Sequence, residues 1–141
     1  MHTPETSTSG YLGGMALRFV LDGELGTAPV RERDATLVDA RDLDPAEVEY
    51  LAGAEIRRCG VTEVPLPDSP VVLHVDVDVI DASEVPGLLF PVPGGPSVKT
   101  VADAVRRIVA TGQVVALHVA CPWKPGVGSE TRTRLLAEFA G

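Results

Sequence analysis

Three aspartates interrupt an apolar part of the chain. Residues 71–77 read VVLHVDV, a pattern typical of a strand buried on both faces, yet Asp76 and Asp78 lie at its end and Asp81 follows. Alternation along a strand would place Asp76 and Asp78 on the same side, where two carboxylates repel unless one is protonated or a cation lies between them. Because all-oxygen ligation suits Mg²⁺ or Mn²⁺, the pair predicts a divalent metal site.

Two other interpretations fit the same residues. Aspartates at the edge of a loop also cap backbone amides or pair with arginine, and short motifs produce many false matches. A DxD pair after an apolar strand is similar to the motif of haloacid-dehalogenase-like phosphatases, in which the first aspartate is a nucleophile. In this chain Ile80 stands where those proteins usually carry Thr or Val, and no adjacent acidic pair follows Asp81.

The segments around the aspartates predict an α/β fold. Strands are expected at 35–41, 61–66, 71–77 and 113–121, and helices at 15–23, from Asp44 to Gly60, at 98–110 and at 129–140. This alternation indicates a three-layer αβα arrangement with a mostly parallel sheet, in a single domain over residues 1–141. Only PDSP separates 61–66 from the next strand, so that strand is expected to be antiparallel or at an edge.

Polar residues follow three of the predicted strands. In parallel α/β folds, ligands bind beyond the carboxyl ends of the strands. The residues concerned are Asp39, Asp42 and Asp44 after one strand, Asp76 and Asp78 after another, and Cys121 at the end of a third. The sequence therefore predicts a polar rim shared by these strands.

Composition restricts the classes of function. The chain has 141 residues, 45% of them hydrophobic, and a formal net charge of −8, which argues against nucleic acid or an anionic membrane as a partner. No apolar run reaches the ~20 residues that span a bilayer, and MHTPETSTSG contains no apolar segment of a signal peptide. Two cysteines without a paired framework favour a reduced, cytoplasmic setting.

Four ordered blocks together resemble the ureohydrolase family of arginases, agmatinases and formiminoglutamases. HVDVDVIDASEVPGLLFPVPGGPS resembles the family's DxDxxDP block and the proline- and glycine-rich loop after it, with Ala82 in place of the usual proline. TPETSTSGYLGGMAL resembles the segment after the family's DAHxD metal motif. VDARDLDPAE and VVALHVACPWKP resemble two further strand-end blocks. The resemblance covers most of the chain and implies a partial arginase-like fold.

The resemblance implies roles for six residues. Asp76 and Asp78 correspond to metal-ligand aspartates of a two-Mn²⁺ centre. Asp44 and Glu47 correspond to carboxylates that hold the substrate's amino group. Ser7 and Ser9 correspond to hydroxyls near the substrate's carboxylate. Ordinary structural roles exist beside these, because Asp44 and Glu47 also have the spacing of a helix cap and its capping-box partner, and the serines lie in a predicted loop.

Several residues of the family pattern are missing. The DAHxD motif would precede residue 1, so about four of the six protein ligands expected for a two-metal site are not among these residues, and the chain is expected to be an N-terminally truncated portion. Cys121 stands where the family has an acidic residue, and Gly13 stands where arginases carry a proton-shuttling histidine. His74 and His118 are expected to be buried core histidines, and His2 to be mobile.

The predicted function is metal-dependent hydrolysis of a linear guanidino or amidine C–N bond, with a small cationic substrate. No catalytic residue is assigned. The short chain is expected to bind metal weakly and to be inactive or nearly so, because its Mn²⁺ site is incomplete. The alternative is a non-catalytic ureohydrolase-fold protein that binds a ligand or partner. An exposed apolar sheet edge is also expected and is compatible with a homo-oligomer.

Overall fold

The computed structural model describes residues 1–7, 9–24, 26, 28–120 and 123–140. They fall into two compact units, residues 1–59 and residues 60–141. The elements in chain order are α1 (Ala16–Asp22), β1 (Thr36–Val38), α2 (Pro45–Gly53), β2 (Arg57–Cys59), β3 (Val71–Asp76), α3 (Val98–Val109), β4 (Val114–Ala120) and α4 (Ser129–Ala140). No helix in these ranges is long and apolar enough to cross a bilayer.

The first unit is organised around a parallel βαβ connection. Strand β1 pairs with β2 in parallel, with Thr36 opposite Arg57, and helix α2 connects them. Leu21, Leu51 and Ile56 are its buried apolar cluster. Helix α1 ends, as predicted, at Gly23, whose φ of 70° is the left-handed conformation that glycine adopts without steric cost.

The predicted end of the second helix was wrong. The helix ends at Gly53 rather than Gly60, and the residues Arg57–Cys59 form β2. Two exposed arginines in a three-residue strand give no apolar alternation, so the local sequence carries no strand signal. The pairing with β1 decides the conformation of this segment.

A polar cluster links α1 and α2 within the first unit. The guanidinium of Arg18 lies over the ring of Tyr50, 4.5 Å from its centroid, and its Nε donates to Asp22 Oδ2 at 2.7 Å. The hydroxyl of Tyr50 donates to Glu32, whose second oxygen accepts the backbone N–H of Glu55 at 2.9 Å. The carboxylate of Glu32 therefore bridges α2 and the segment leading to β2.

The second unit contains a second parallel pair. Strand β3 lies beside β4, and α3 connects them. The expected strand at 61–66 was wrong, because Val61–Glu63 form a 3-10 turn and the following residues are irregular. Pro65 lacks a backbone N–H, so this segment is poorly suited to a sheet ladder.

Helices α3 and α4 pack on each other within this unit. Helix α3 begins after Ser97, whose hydroxyl accepts the backbone N–H of Thr100 at 3.1 Å, as the predicted cap requires. Leu135 and Phe139 of α4 are buried, being four residues apart on one helix face. Leu136, predicted to share that face, is 48% exposed, because the next residue along a helix turns about 100° away.

Among the described residues, the two faces of β3 differ in burial. Val75 is buried, whereas Val72, which points to the other face, is 68% exposed. The prediction that 71–77 is buried on both faces was therefore wrong for this unit. The apolar sheet edge that the sequence predicts to be exposed stays a prediction.

Candidate functional site

Asp76 and Asp78 lie at the carboxyl end of β3, but not both on the strand. The strand ends at Asp76, and Asp78 lies in a 3-10 turn formed by Val77–Val79. The expectation that strand alternation places both carboxylates on one side was wrong, because the chain turns between them. Instead Asp76 Oδ1 faces the backbone N–H of Asp78 at 3.5 Å, a long contact. Both residues are half-buried.

The third aspartate of the motif fixes the loop that follows it. Asp81 Oδ2 accepts the backbone N–H of Gly94 at 2.6 Å, and Oδ1 accepts the N–H of Ser83 at 2.9 Å. Hydrogen bonds from Ser83, first through its hydroxyl, lower the pKa of Asp81 to about 2. Val85 and Leu88 of this loop are buried. Asp81 is thus a structural anchor that remains ionised at neutral pH.

Asp44 and Glu47 come together at the amino end of α2. Asp44 is the N-cap, Pro45 the first helical residue, and Glu47 accepts the backbone N–H of Asp44 at 3.0 Å in a capping box. The structural role recognised in the sequence is therefore present. It leaves part of each carboxylate available, since an ionised carboxylate has about four acceptor positions.

His2 completes this group and was not expected there. Its Nε2 lies 2.9 Å from Asp44 Oδ2 and 3.8 Å from Glu47 Oε2, and its side chain is only 13% exposed. The backbone N–H of His2 also donates to the carbonyl of Gly14 at 3.0 Å, which holds residue 2 in place. The prediction that His2 is mobile was wrong.

The carboxylates of this group already hold a primary ammonium. The α-ammonium of Met1 forms an ion pair with Glu47. Burial lowers the pKa of this ammonium, and the charge of Asp44 opposes that shift. The Asp44–Glu47 pair thus favours a positively charged group beside it.

The connection between β1 and α2 is conformationally unusual. Asp39 and Asp42 have positive φ angles of 50° and 36°. Aspartate tolerates this region better than most residues, but a left-handed conformation still costs about 1 kcal/mol or more for each. The segment that leads into Asp44 is therefore held in a conformation that its local sequence disfavours.

Ser7 and Ser9 are loop residues whose hydroxyls bind their own backbone. Ser7 Oγ accepts the N–H of Gly10 at 3.1 Å, and Ser9 Oγ accepts the N–H of Tyr11 at 3.2 Å. A hydroxyl that accepts through oxygen still has its proton to donate. Both serines therefore have a structural role that is compatible with donation to an anion.

The space beside Gly13 is filled by a neighbouring ring. A Cβ atom added at Gly13 would lie 2.7 Å from Cζ and 2.9 Å from the hydroxyl oxygen of Tyr11. A side chain at the position of the arginase histidine would thus require the Tyr11 ring to move. Cys121, the other departure from the family pattern, lies outside the described residues.

His74 and His118 face each other across the β3–β4 pair. They occupy opposite positions in the parallel register, their ring centroids are 4.9 Å apart, and the two Nδ1 atoms are 2.8 Å apart. Although the His74 side chain is exposed to solvent, desolvation by neighbouring protein atoms lowers its pKa, as does the charge of His118, whereas Asp76 opposes the shift. Both residues are exposed, so the prediction of buried core histidines was wrong.

Comparison with known protein families shows which family this chain belongs to. The model described as "Arginase family" matches residues 1–138, nearly the whole chain. The chain belongs to the arginase family.

Two curated relatives support the assignment of this chain to the arginase family. N(omega)-hydroxy-L-arginine amidinohydrolase of Streptomyces lavendulae is 36% identical over 112 residues, which cover 67% of this chain and 37% of the relative. Arginase of Eremothecium gossypii is 31% identical over 150 residues, which cover 84% of this chain and 36% of the relative. Both relatives are hydrolases by name, and the chain spans less than half the length of each.

Solved structures show that the fold is arginase-like. The Bacillus subtilis arginase structure matches 99% of this chain and 59% of its own chain, with a TM-score of 0.81 and 23% identity. Entamoeba histolytica arginase in complex with L-ornithine matches with a TM-score of 0.86 and 19% identity, covering 100% of this chain and 56% of its own. The α/β arginase-like fold predicted from the sequence is confirmed.

The donor atoms of this arginase-family chain fit a metal only in part. Among the described residues, the group of at least three metal-ligating side chains within mutual ligand distance is His2, Asp44 and Glu47. Within the part of the chain that the structure describes, Asp76 and Asp78 belong to no such group. Two carboxylates by themselves do not supply the ligands of a bridged pair of Mn²⁺ ions.

Proposed function

We propose that this chain carries the carboxyl-side part of an arginase-family site that hydrolyses a linear C–N bond of a guanidino or amidine compound. In this proposal Asp76 and Asp78 are metal ligands, and Asp44 and Glu47 bind the substrate's amino group. Ser7 and Ser9 donate to its carboxylate. The family membership of the chain supports the reaction class, and the relatives' names supply the guanidino chemistry.

The observation that carries the substrate assignment is the convergence of Asp44 and Glu47 on one imidazole nitrogen at the amino end of α2. Asp44 Oδ2 lies 2.9 Å and Glu47 Oε2 lies 3.8 Å from His2 Nε2, so the two carboxylates concentrate negative charge at one place. The capping box orders both carboxylates before an amine binds, which lowers the entropy cost of binding. A zwitterionic amino acid with a guanidino or related side chain is the substrate class that follows.

The metal assignment depends on two half-buried carboxylates at the end of β3. Manganese is the ion proposed, since both ligands are hard oxygens and a metal supplies the activated water in hydrolases of this kind. Two carboxylates hold a hydrated ion weakly. We therefore expect the 141-residue chain to bind Mn²⁺ weakly and to be inactive or nearly so.

A non-catalytic role is the second proposal. Gly13 stands where arginases carry a histidine, and the Tyr11 ring fills the space that such a side chain would need. A protein of this fold that binds an amino acid at Asp44 and Glu47 without hydrolysing it would have these features. Cytoplasmic location and self-association stay predictions.

Manganese titration by calorimetry, with a urea assay on arginine, agmatine and hydroxyarginine, tests these proposals. Weak binding that is lost in the Asp76→Ala/Asp78→Ala double variant, without urea release, supports a metal-binding but inactive chain. Tight binding of two ions with urea release would overturn the expected inactivity. Binding that is unchanged in the double variant, or absent at millimolar Mn²⁺, would remove the metal assignment. Phosphatase activity lost in Asp76→Asn would favour the haloacid-dehalogenase interpretation.

A further inference from the structure

The pairing of β3 with β4 places two imidazoles side by side on an open face of the sheet. His74 and His118 are opposite each other in a parallel register, so their Cα positions are fixed by the ladder rather than by a loop. Both side chains are exposed. Neither residue has a part in the proposed hydrolytic function.

The two rings point the same type of nitrogen at each other. The Nδ1 atoms are 2.8 Å apart, and the rings are stacked with an interplanar angle of 25°. Two imidazole nitrogens at 2.0–2.1 Å from a tetrahedral Zn²⁺ lie about 3.3 Å apart. The observed pair would have to open by only about half an ångström, which small rotations of two exposed side chains provide.

We propose that His74 and His118 form a two-imidazole binding site for a borderline transition-metal cation, of which Zn²⁺ is the probe. The metal accepts one lone pair from each Nδ1, and water fills the remaining positions. In the empty pair one Nδ1 carries the proton that the other accepts. On metal binding that proton moves to the Nε2 of its own ring, so two neutral imidazoles bind the cation without net release of a proton.

The site discriminates between metals by ligand type. Imidazole nitrogen suits Zn²⁺, Ni²⁺ and Cu²⁺, whereas Mn²⁺ prefers oxygen and lies at the weak end of the divalent series. The histidine pair and the Asp76–Asp78 pair therefore differ in metal preference as well as in ligands. Zn²⁺ binding at the histidines does not depend on whether the hydrolytic proposal is correct.

Competition with a chromogenic zinc chelator tests the proposal on the full chain with Cys59 and Cys121 changed to serine, which removes thiolate ligands. We expect one Zn²⁺ per chain, and an affinity at least about tenfold weaker in both His74→Asn and His118→Asn, the loss that removal of even an outer partner of a metal ligand produces. His2→Asn is the matched control. It removes the third and last histidine of the chain, which belongs to the His2, Asp44 and Glu47 group.

Each outcome decides the question. Loss of Zn²⁺ binding in His2→Asn, or equal affinity in His118→Asn and the parent, would overturn the proposal, as would no binding by the parent. If either β-strand variant fails to fold by circular dichroism, X-ray absorption of the Zn²⁺-loaded parent replaces it. Two imidazoles in the first shell that persist in His2→Asn support the site, and fewer than two overturn it. Mn²⁺ titration of His118→Asn separates the proposals, since only the Asp76–Asp78 assignment requires Mn²⁺ binding there.

Discussion

Glu47 accepts the backbone N–H of Asp44 at 3.0 Å while it also pairs with a primary ammonium. One carboxylate thus closes the amino end of α2 and offers a negative charge to an amine. The structural and functional interpretations of this residue are not alternatives. They can be separated, because capping needs an acceptor oxygen whereas ammonium binding needs the charge.

Glu47→Gln and Glu47→Ala both remove the charge of residue 47, but they should destabilise the fold to different extents. Both variants lose the charge beside the Met1 ammonium, and glutamine alone retains an acceptor for the Asp44 N–H. Alanine also loses that hydrogen bond, so its urea-unfolding free energy should be about 1 kcal/mol lower than that of the glutamine variant. Both variants should weaken L-arginine binding followed by NMR titration. Equal destabilisation by the two substitutions would contradict the capping role.

Acid should loosen the loop between β3 and α3. The pKa of Asp81 is lowered to about 2 by its hydrogen bonds, compared with about 4 in an unfolded chain. The contribution of ionised Asp81 to folding stability is fully present above pH ~4. It is lost as the pH falls toward ~2, because protonation then weakens the hydrogen bonds from Ser83 and Gly94. In Asp81→Asn, the free energy of unfolding measured against pH should no longer show this decrease between pH ~4 and ~2. An identical acid profile for parent and variant would contradict the anchoring role.

Alkali should act on the first unit through Tyr50. Burial, and then the hydrogen bond to Glu32, raise the pKa of Tyr50 to about 12. Because the folded state favours the protonated phenol, the contribution of Tyr50 to folding stability is complete below pH ~10 and is lost as the pH rises toward ~12. Phenolate absorbance should therefore show a late-titrating tyrosine that is absent in Tyr50→Phe. A single titration step near pH ~10 in the parent would contradict the assignment.

Gly128 should tolerate alanine much less well than Gly112. Both have left-handed backbones, with φ of 72° and 71°, so both substitutions carry the conformational cost of about 1–2 kcal/mol. A Cβ at Gly128 would also lie 2.8 Å from the carbonyl oxygen of Pro86, whereas nothing lies within 4 Å at Gly112. We expect about 1–3 kcal/mol more destabilisation at Gly128, measured by urea unfolding. Similar losses for the two variants would show that the backbone clash is relieved.

The fluorescence of the single tryptophan provides an independent measurement for this pair. The indole of Trp123 lies against the position of a Gly128 Cβ, and its Nε1 is buried. Gly128→Ala should therefore shift the emission of Trp123, while Gly112→Ala should leave it unchanged.

Elements with strong local signals were predicted well. Helix α3 has a serine cap, apolar residues at helical spacing and a glycine beyond its end, and it begins at Val98 as expected. Asp44 and Pro45 likewise predicted the start of α2. Elements decided by pairing were not. Strand β2 consists of RRC, which has strand conformation only because β1 lies beside it.

The same distinction applies to the candidate site. Residue types and their order determined the family, the strand that leads to Asp76, and the capping positions Asp44 and Glu47, because each depends on contacts a few residues apart. Only the tertiary structure decided that the chain turns between Asp76 and Asp78, that His2 lies against Asp44, and that His74 faces His118. These relationships join residues through strand register and packing, and no local pattern encodes the distance between two side chains that are 44 positions apart in the sequence.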